Sequence, residues 1–182
     1  MIIRELKEEE FVLAVDLLVD CWDEELAGVA PNRRVKKEEL DSMIQWLQEA
    51  EENNDIRLIY GAFENDKFMG FVGASIAEEY DVEKGGVELN YLFVHKEYRG
   101  HGISLQLTKK ILDYFISKDF DKLVVYNHHC APSNAFYRKF GGTVLRHEIQ
   151  GTADEKLLVD IFIFDAKGLR KNIETVICNR YI

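Results

Sequence analysis

The chain has 182 residues, 47% of them hydrophobic, and its 33 acidic and 23 basic residues give a formal net charge of −10. This size and composition predict one globular domain with a buried core, and they exclude disordered, collagen-like and disulfide-dense chains. An acidic chain without a basic stripe is not expected to bind nucleic acid. Its three cysteines are widely spaced, which favours reduced thiols in a cytoplasmic protein. No apolar run is long enough to span a bilayer.

The first third of the chain is predicted to form a short strand and two helices. Alternating side chains predict a strand over residues 2–6, and apolar side chains at helical spacing predict helices over 8–23 and 35–51. Residues 1–55 hold 16 acidic and 6 basic residues, so this segment carries the whole net charge of the chain. Its carboxylates either attract a cationic small molecule or peptide, or only keep the outer helix faces solvated.

The remainder of the chain alternates strands and helices in a pattern typical of a mixed sheet. A hairpin of strands 57–63 and 67–77 is followed by a strand over 87–94, a glycine-rich turn and a helix over 103–118. The later predicted elements are a strand over 122–126, a short helix over 132–140 and a hairpin of strands 143–149 and 156–164. Consecutive hairpins around one strand-helix-strand unit predict an α/β fold, with a mixed, mostly antiparallel central sheet flanked by helices.

A C-terminal helix is predicted to follow this domain, which comprises residues 1–165. Residues 166–182 carry apolar side chains at helical spacing, namely Leu169, Ile173, Val176, Ile177 and Tyr181. An amphipathic helix of this kind needs a cover for its apolar stripe. Either the sheet of its own chain or a second subunit would provide that cover.

The turn Arg99-Gly100-His101-Gly102-Ile103-Ser104 is the first candidate for a ligand site. A glycine-rich turn that enters a helix leaves several backbone N–H groups unpaired near one point, where an anion binds. The glycines also permit the close approach of a phosphate, and Arg99 and Lys96 add positive charge. A plain strand-to-helix turn explains the same residues equally well. The sequence has neither the G-K-S/T of a nucleotide P-loop nor the G-x-G-x-x-G of a dinucleotide fold in a first βα unit.

Two motifs within residues 86–142 resemble those of the GNAT acetyltransferase superfamily. One is Arg99-x-x-Gly102-x-Ser104, which is similar to the family's R/Q-x-x-G-x-G/A turn after a long strand. The other is Ser133-x-x-x-Tyr137-x-Lys139-x-Gly141-Gly142, which is similar to the family's S/A-x-x-x-Y-x-K-x-G-F. Ser104 and Gly142 depart from the family pattern. Ser104 can still cap the helix or donate its hydroxyl group to a phosphate.

The resemblance implies an acetyl-CoA-dependent N-acetyltransferase, with the pyrophosphate on the turn and the pantetheine arm between two splayed central strands. In the family, the backbone of the central strand pairs with the pantetheine amides, and a backbone donor there stabilises the oxyanion. Asn127 and Asn134 would meet the pantetheine or its thiol end, although both also suit hydrogen bonds at a strand end and a helix start. The implied cofactor-binding residues are Leu92, Phe93, Val94, Arg99, Gly100, His101, Gly102, Ile103, Ser104, Asn127, Asn134 and Tyr137.

Tyr137 and Glu88 are the implied catalytic residues. Acetylation of an amine needs a base for the ammonium proton and an acid for the departing thiolate. Tyr137 matches the family tyrosine that donates a proton to the sulfur, and the alternative is an aromatic residue of the core. Glu88 shares a strand face with Leu92 and Val94, and some family members carry a catalytic glutamate at this position. Its alternatives are a remote base acting through water, or a carboxylate solvated at the strand end.

No metal site is predicted. The run His128-His129-Cys130 resembles half of a zinc site, but no second ligand pair has zinc-site spacing, and three adjacent residues cannot all face one ion. His147-Glu148 lacks the second histidine of H-E-x-x-H. We instead expect His128 or His129 to line the acceptor pocket or to move a proton.

The favoured function is direct transfer of an acetyl group from acetyl-CoA to a primary amine, either a small cationic amine or a peptide amine. Direct transfer is preferred because no base arrangement accompanies Cys130 as a nucleophile. The alternatives are a CoA-binding or amine-sensing module without turnover, and a transferase of a larger acyl group. In the family, the first two helices form the acceptor wall, so their charge predicts a cationic acceptor. No nucleic-acid or membrane partner is expected, and a homodimer, which is common in the family, is a further expectation.

Overall fold

Seven strands and five helices make up the part of the chain that the computed structural model describes, which is residues 1–28, 31–82, 85–151 and 156–179. The strands are β1 (Ile2–Glu5), β2 (Leu58–Glu64), β3 (Lys67–Ile76), β4 (Gly86–Val94), β5 (Lys122–His128), β6 (Thr143–Gly151) and β7 (Lys156–Asp165). The helices are α1 (Phe11–Leu26), α2 (Lys36–Gln48), α3 (Ile103–Ile116), α4 (Asn134–Lys139) and α5 (Ala166–Asn179). The predicted α/β class is confirmed.

The strands form one sheet in the order β1-β2-β3-β4-β5-β7-β6. The pairs β1 with β2, β2 with β3, β5 with β7 and β6 with β7 are antiparallel, whereas β4 and β5 are parallel. A parallel pair needs a long crossover connection, and the segment that contains α3 supplies it. The predicted mixed and mostly antiparallel sheet is therefore present.

The four helices predicted between residues 8 and 140 all begin or end at other residues, and α2 and α3 end earlier than predicted, at Gln48 and Ile116. A 3₁₀ turn, Glu8–Glu10, precedes α1, and α1 continues past residue 23 to Leu26, which is buried. The predicted helix over 132–140 is limited to α4, because the residues before Asn134 form turns. Within the described part of the chain, no helix combines the length and the apolar character needed to cross a bilayer.

Contacts divide the chain into two compact units. The first contains Met1–Ser75 and Tyr91–Ile111, and the second contains Ile76–Asn90 and Leu112–Ile182. The core of the first unit joins the buried face of α1 to α2 and to the strands, and its members include Phe11, Ala14, Val15, Leu18, Met43, Ile59 and Phe71. The buried residues of α1 follow helical spacing, which leaves its acidic residues on the outer face.

The core of the second unit contains β5, β7 and the terminal helix α5. Its fully buried side chains include Leu112, Phe115, Leu123, Ile161, Phe162 and Ile173. Helix α5 packs against β7 and is tied to the same unit by an Arg170–Asp113 ion pair. Because Leu169 and Ile173 are buried, the chain itself covers the inner part of the predicted apolar stripe. Tyr181 lies outside the described residues.

Candidate functional site

The turn before α3 has the backbone geometry of an anion site. Gly100 and Gly102 both have φ of 81°, in the left-handed region that costs other residues about 1–2 kcal/mol. The Gly102 carbonyl accepts the first helical hydrogen bond, from the Gln106 N–H at 3.1 Å, so the helix begins at Ile103. The first-turn amides of an α-helix have no partner within the helix and attract negative charge. Ile103 is buried and anchors this end of the helix.

The Arg99 side chain turns back toward β4 and α1. Its Nε donates to the Val94 carbonyl at 3.0 Å, and its terminal nitrogens donate to Glu24 at 2.7 Å and to the Cys21 Sγ at 3.3 Å. Lys96 lies 3.6 Å from the same Glu24 carboxylate. The hydrogen bond from Arg99 holds the pKa of Glu24 below its usual value, and burial raises the pKa of the Cys21 thiol. Both cations that the sequence assigns to a phosphate are thus paired with Glu24, which the sequence did not single out.

His101 makes local contacts on this turn. Its exposed ring places Nδ1 3.0 Å from the Arg99 carbonyl and 3.3 Å from the Tyr98 carbonyl. A carbonyl accepts hydrogen bonds only, so Nδ1 carries the hydrogen in this arrangement. The ring therefore braces the backbone of the turn.

Strand β4 presents alternate side chains to two faces. Tyr91 and Phe93 pack on the first unit's core, with Phe93 stacked on Phe71 at 5.6 Å between ring centroids. The two-residue period directs Leu92 and Val94 to the opposite face. The parallel ladder with β5 contains three pairs, from Gly86 with Lys122 to Glu88 with Val124. Among the residues that the structure describes, Glu88 with Val124 is the last pair of this ladder.

Asn127 and Asn134 form a bracket between the end of β5 and α4. The Asn127 side-chain amide donates to the Ser133 hydroxyl at 2.9 Å and to the Asn134 side-chain carbonyl at 2.7 Å. Asn134 in turn donates to the backbone carbonyls of His128 and His129, at 2.9 and 2.8 Å. Asn134 is buried. For both residues, these contacts agree with the alternative role stated above, which is hydrogen bonding at a strand end and at a helix start.

Tyr137 is held by aromatic packing within the second unit. Its ring centroid lies 5.4 Å from that of Phe162 and 6.3 Å from that of Phe164, both on β7. Only 8% of the residue is exposed. The ring therefore contributes to the core, as one alternative predicted, and that packing also fixes the direction of the phenol group.

Glu88 is half-buried and lies beside a polar neighbour on β4. The Asn90 side-chain amide donates to Glu88 Oε1 at 3.0 Å. Among the described residues, the Asn90 side-chain oxygen is buried without a hydrogen-bond partner. Burying a hydrogen-bond acceptor without a donor is unfavourable. A bound molecule that donates a hydrogen bond to the Asn90 side-chain oxygen would remove this cost.

A second polar cluster, which the sequence did not reveal, joins Asp81, Tyr126 and Arg146. Tyr126 donates its hydroxyl hydrogen to Asp81, and Arg146 forms an ion pair with the same carboxylate. Burial and the hydrogen bond to Asp81 raise the pKa of the Tyr126 phenol. The Tyr126 phenol is the hydrogen-bond donor to the carboxylate in this cluster. Asp81 lies in the turn region between β3 and β4, Tyr126 on β5 and Arg146 on β6, so residues far apart in the sequence meet here.

The acidic outer face of α1 is partly neutralised within the first unit. Asp16, Asp20 and Asp23 recur at helical spacing, and Lys36 lies 2.7 Å from Asp16. The hydrogen bond to Asp16, with the nearby charges of Asp20 and Asp23, raises the pKa of Lys36. Asn32 donates to Asp23 at 3.0 Å. Asp20 and Asp23 are exposed to solvent, so both explanations of the charge stay open.

Comparisons with known proteins agree with this fold. The sequence model of the acetyltransferase (GNAT) family matches residues 13–142. A ribosomal-protein-alanine N-acetyltransferase from Brucella melitensis is 17% identical, with a TM-score of 0.68, over 91% of this chain and 99% of that one. An N-acetyltransferase from Staphylococcus aureus Mu50 is 17% identical, with a TM-score of 0.64, over 91% and 98%. The PaiA N-acetyltransferase from Thermoplasma acidophilum, in complex with coenzyme A, is 21% identical, with a TM-score of 0.60, over 87% and 96%. No curated protein sequence matches the chain.

Proposed function

Because the chain belongs to the acetyltransferase (GNAT) family, we propose that it transfers an acetyl group from acetyl-CoA directly to a primary amine. The observation that carries the proposal is the turn at Gly100 and Gly102. Both glycines have a left-handed backbone and lie at the start of a helix, within the segment that the family matches. This backbone suits the pyrophosphate of a CoA molecule.

Three sets of residues would hold acetyl-CoA, which supplies an activated acetyl thioester. The backbone amides of Ile103 and Ser104 would bind the pyrophosphate, together with Gly100, His101 and Gly102. The backbone of Leu92, Phe93 and Val94 would pair with the pantetheine amides, in keeping with the end of the β5 ladder at Glu88. Arg99 would act chiefly by fixing the Val94 carbonyl and the turn, because its side chain already binds Glu24. Asn127 and Asn134 would support the thiol end by holding α4 in place.

An alkylammonium acceptor would lose two protons in all: one to a base before the nitrogen attacks, and a second, after attack, that would restore the acid which has protonated the departing thiolate. The amine nitrogen would form a bond to the acetyl carbon, and the carbon–sulfur bond would break. Tyr137 would donate its phenol hydrogen to the departing sulfur, since its ring is fixed against β7. Glu88 would accept the ammonium proton, directly or through water, and Asn90 would orient that carboxylate. A backbone N–H of β4 would stabilise the oxyanion.

The acceptor would be a small cationic amine or a basic peptide amine. The support is the acidic face of α1, where Lys36 offsets only part of the charge of Asp16, Asp20 and Asp23. Such a face concentrates ammonium groups, and salt weakens this effect as the Debye length falls from about 30 Å at 0.01 M to about 10 Å at 0.1 M. A preference for anionic amines such as glutamate would contradict this choice of acceptor. So would acetylation rates of cationic amines that do not change with salt concentration.

Release of free CoA thiol tests the proposed activity. Acetyl-CoA is mixed with the protein and a panel of polyamines, aminoglycoside-like amines, basic peptides and anionic amines. We expect thiol release that requires both the protein and a cationic amine. Tight binding of acetyl-CoA without amine-dependent release across the panel would instead identify the silent CoA-binding or amine-sensing alternative.

We also propose a cytoplasmic homodimer. All three cysteines lie in the described residues and none forms a disulfide, which is in keeping with a reducing compartment. Strand β6 is at the end of the sheet order and exposes Leu145 and Ile149, at 44% and 65%. Light scattering of the protein and of an Ile149→Glu variant tests this assembly: a dimer that the substitution weakens is expected, and a monomeric wild-type protein would overturn it.

A further inference from the structure

Two histidines and one aspartate converge on three neighbouring strands. Asp160 lies on β7, between β5 and β6, and its Cα is paired with Asn127 on one side and with His147 on the other. Directly paired residues in antiparallel strands project from the same face. His129 follows β5 two residues after Asn127, and its backbone N–H bonds to the Leu158 carbonyl at 2.8 Å. The register therefore brings together side chains that are distant in the sequence.

The three side chains meet at one oxygen atom. The Nδ1 atoms of His129 and His147 lie 2.7 and 2.8 Å from the same Oδ1 atom of Asp160. The Asp160 side chain is 0% exposed, whereas those of His129 and His147 are 44% and 55% exposed. Arg138 of α4 donates to the other carboxylate oxygen, Oδ2, at 3.2 Å. A fixed, buried carboxylate thus presents one oxygen between two imidazoles that solvent can reach.

We propose that His129, His147 and Asp160 form a binding site for a divalent transition-metal ion, with Zn²⁺ as the representative ion. Two imidazoles and a carboxylate are a donor set that zinc accepts, and such three-ligand sites leave a fourth position for water or another ligand. One donor atom from each residue lies within 4.8 Å of those of the other two. Neither the family match nor acetyl transfer assigns this site, and the proposal is independent of both.

Binding requires only small movements of the imidazoles. Zinc–ligand bonds are about 2.0–2.2 Å long, so two donor atoms on one ion lie at most about 4 Å apart. The two imidazole rings must therefore rotate toward each other, while the Asp160 carboxylate stays in place. Their exposure leaves room for that rotation. A carboxylate oxygen accepts hydrogen bonds, so each Nδ1 carries the hydrogen before binding. Coordination at Nδ1 moves that hydrogen to Nε2, which changes the tautomer without releasing a proton from the ring.

The sequence argument about metals considered only ligands with the usual spacing along the chain, so it did not weigh this combination of residues. Of the run His128-His129-Cys130, only His129 belongs to the cluster. Its partners are His147 on β6 and Asp160 on β7. Arg138 donates a hydrogen bond to Asp160, and hydrogen bonds of this kind commonly orient the ligands of metal ions. The proposed ion is separate from acetyl-CoA, and the transfer reaction described above needs no metal.

Calorimetric titration of the whole chain with ZnCl₂ tests the site. We expect one equivalent of Zn²⁺ to bind, and His147→Gln, which keeps a hydrogen-bond donor toward Asp160, to weaken the affinity at least tenfold. Arg138→Gln should weaken it by about tenfold, as loss of an outer contact to a ligand does. Cys130→Ser and His101→Ala are the matched controls, because they remove an adjacent thiol and an exposed histidine elsewhere, and both should bind as the wild type does.

Nitrogen NMR of the histidine rings provides a second readout that does not depend on activity. One equivalent of Zn²⁺ should shift the Nδ1 signals of His129 and His147 and leave those of His95 and His101 unchanged. The proposal is overturned by absence of binding in the wild type, by unchanged affinity in His147→Gln, or by loss of binding in Cys130→Ser. The last result would place the ion on the His128-His129-Cys130 run instead.

Discussion

Asn134 accepts a hydrogen bond from Asn127 at 2.7 Å while it donates to the backbone carbonyls of His128 and His129. Its amide thus serves three partners at the end of β5, from a position in the first turn of α4. Because Tyr137 lies on the same short helix, this bracket also determines where the proposed acid is held. A residue that family resemblance assigns to the cofactor therefore has a structural role that can be measured separately.

Asn134→Ala should lower the free energy of unfolding by about 1–3 kcal/mol. The substitution removes both donors to the His128 and His129 carbonyls in a buried place, where unpaired polar groups are costly. Urea denaturation measures the change. Asn53→Ala is the control, because the exposed Asn53 side chain makes a hydrogen bond to the Glu49 carbonyl, and it should change the free energy by less than about 0.5 kcal/mol. Equal changes in the free energy of unfolding of the two variants would contradict a stabilising role for the Asn134 hydrogen bonds.

Tyr137→Phe should lower kcat by roughly 10²-fold or more, with little change in the KM for acetyl-CoA. The ring packing on Phe162 and Phe164 remains, whereas the hydrogen that protonates the departing sulfur is lost. Steady-state kinetics across acetyl-CoA concentrations provide both constants. Tyr114→Phe removes a phenol outside the proposed site and should retain wild-type rates. Full turnover in Tyr137→Phe would assign the proton to solvent or to another residue.

Gly102→Val should abolish measurable binding of CoA. The added side chain lies on the turn that the pyrophosphate would approach, and φ of 81° strains any side chain there. Gly28→Ala is a control for backbone strain away from this turn, because Gly28 has φ of 78° and open space around an added Cβ. Calorimetry with CoA should find normal affinity in Gly28→Ala. Normal affinity in Gly102→Val would show that the pyrophosphate binds elsewhere.

Glu10→Gln should make the protein less stable at pH 7 and leave it unchanged near pH 2. Two hydrogen bonds from Arg4 and one from the Lys7 N–H lower the pKa of Glu10 to about 2 despite partial burial. The pKa of Glu10 is lower in the folded than in the unfolded protein. The ion pair therefore stabilises the fold at pH values above the unfolded-state pKa, and this stabilisation is lost as the pH falls toward 2.

The size of that effect should be modest. Arg4 is 40% exposed, so solvent screening limits the loss in Glu10→Gln to about 1 kcal/mol or less. Urea denaturation at pH 7 and at lower pH values measures it. Glu9→Gln is the control: its pair with Lys7 spans 3.9 Å between exposed side chains and should contribute nothing measurable. A constant difference between wild type and Glu10→Gln across the pH range would contradict the ion-pair explanation.

The sequence predicted those features that depend on nearby residues. Helical and strand periodicity, and the glycines of the turn at 100–102, are local signals, so the order of elements and the start of α3 at Ile103 could be predicted. The pairing of Asp160 with His147, or of Arg99 with Glu24, depends on strand register and on packing between distant segments. No local pattern contains that information. The ion pair of Asp81, in the turn region before β4, with Arg146 on β6 likewise depends on contacts between distant segments, which explains why neither residue was a candidate.

A single-turnover reaction with acetyl-CoA labelled in its acetyl group is the most direct test of acetyl transfer. The reaction is quenched at successive times, and mass spectrometry follows the label on the amine and on the intact protein. We predict that the label passes to a cationic amine at the rate of thiol release and never appears on the protein. Label that first accumulates on the protein, at Cys130 or elsewhere, or label that reaches only water, would contradict direct transfer to an amine.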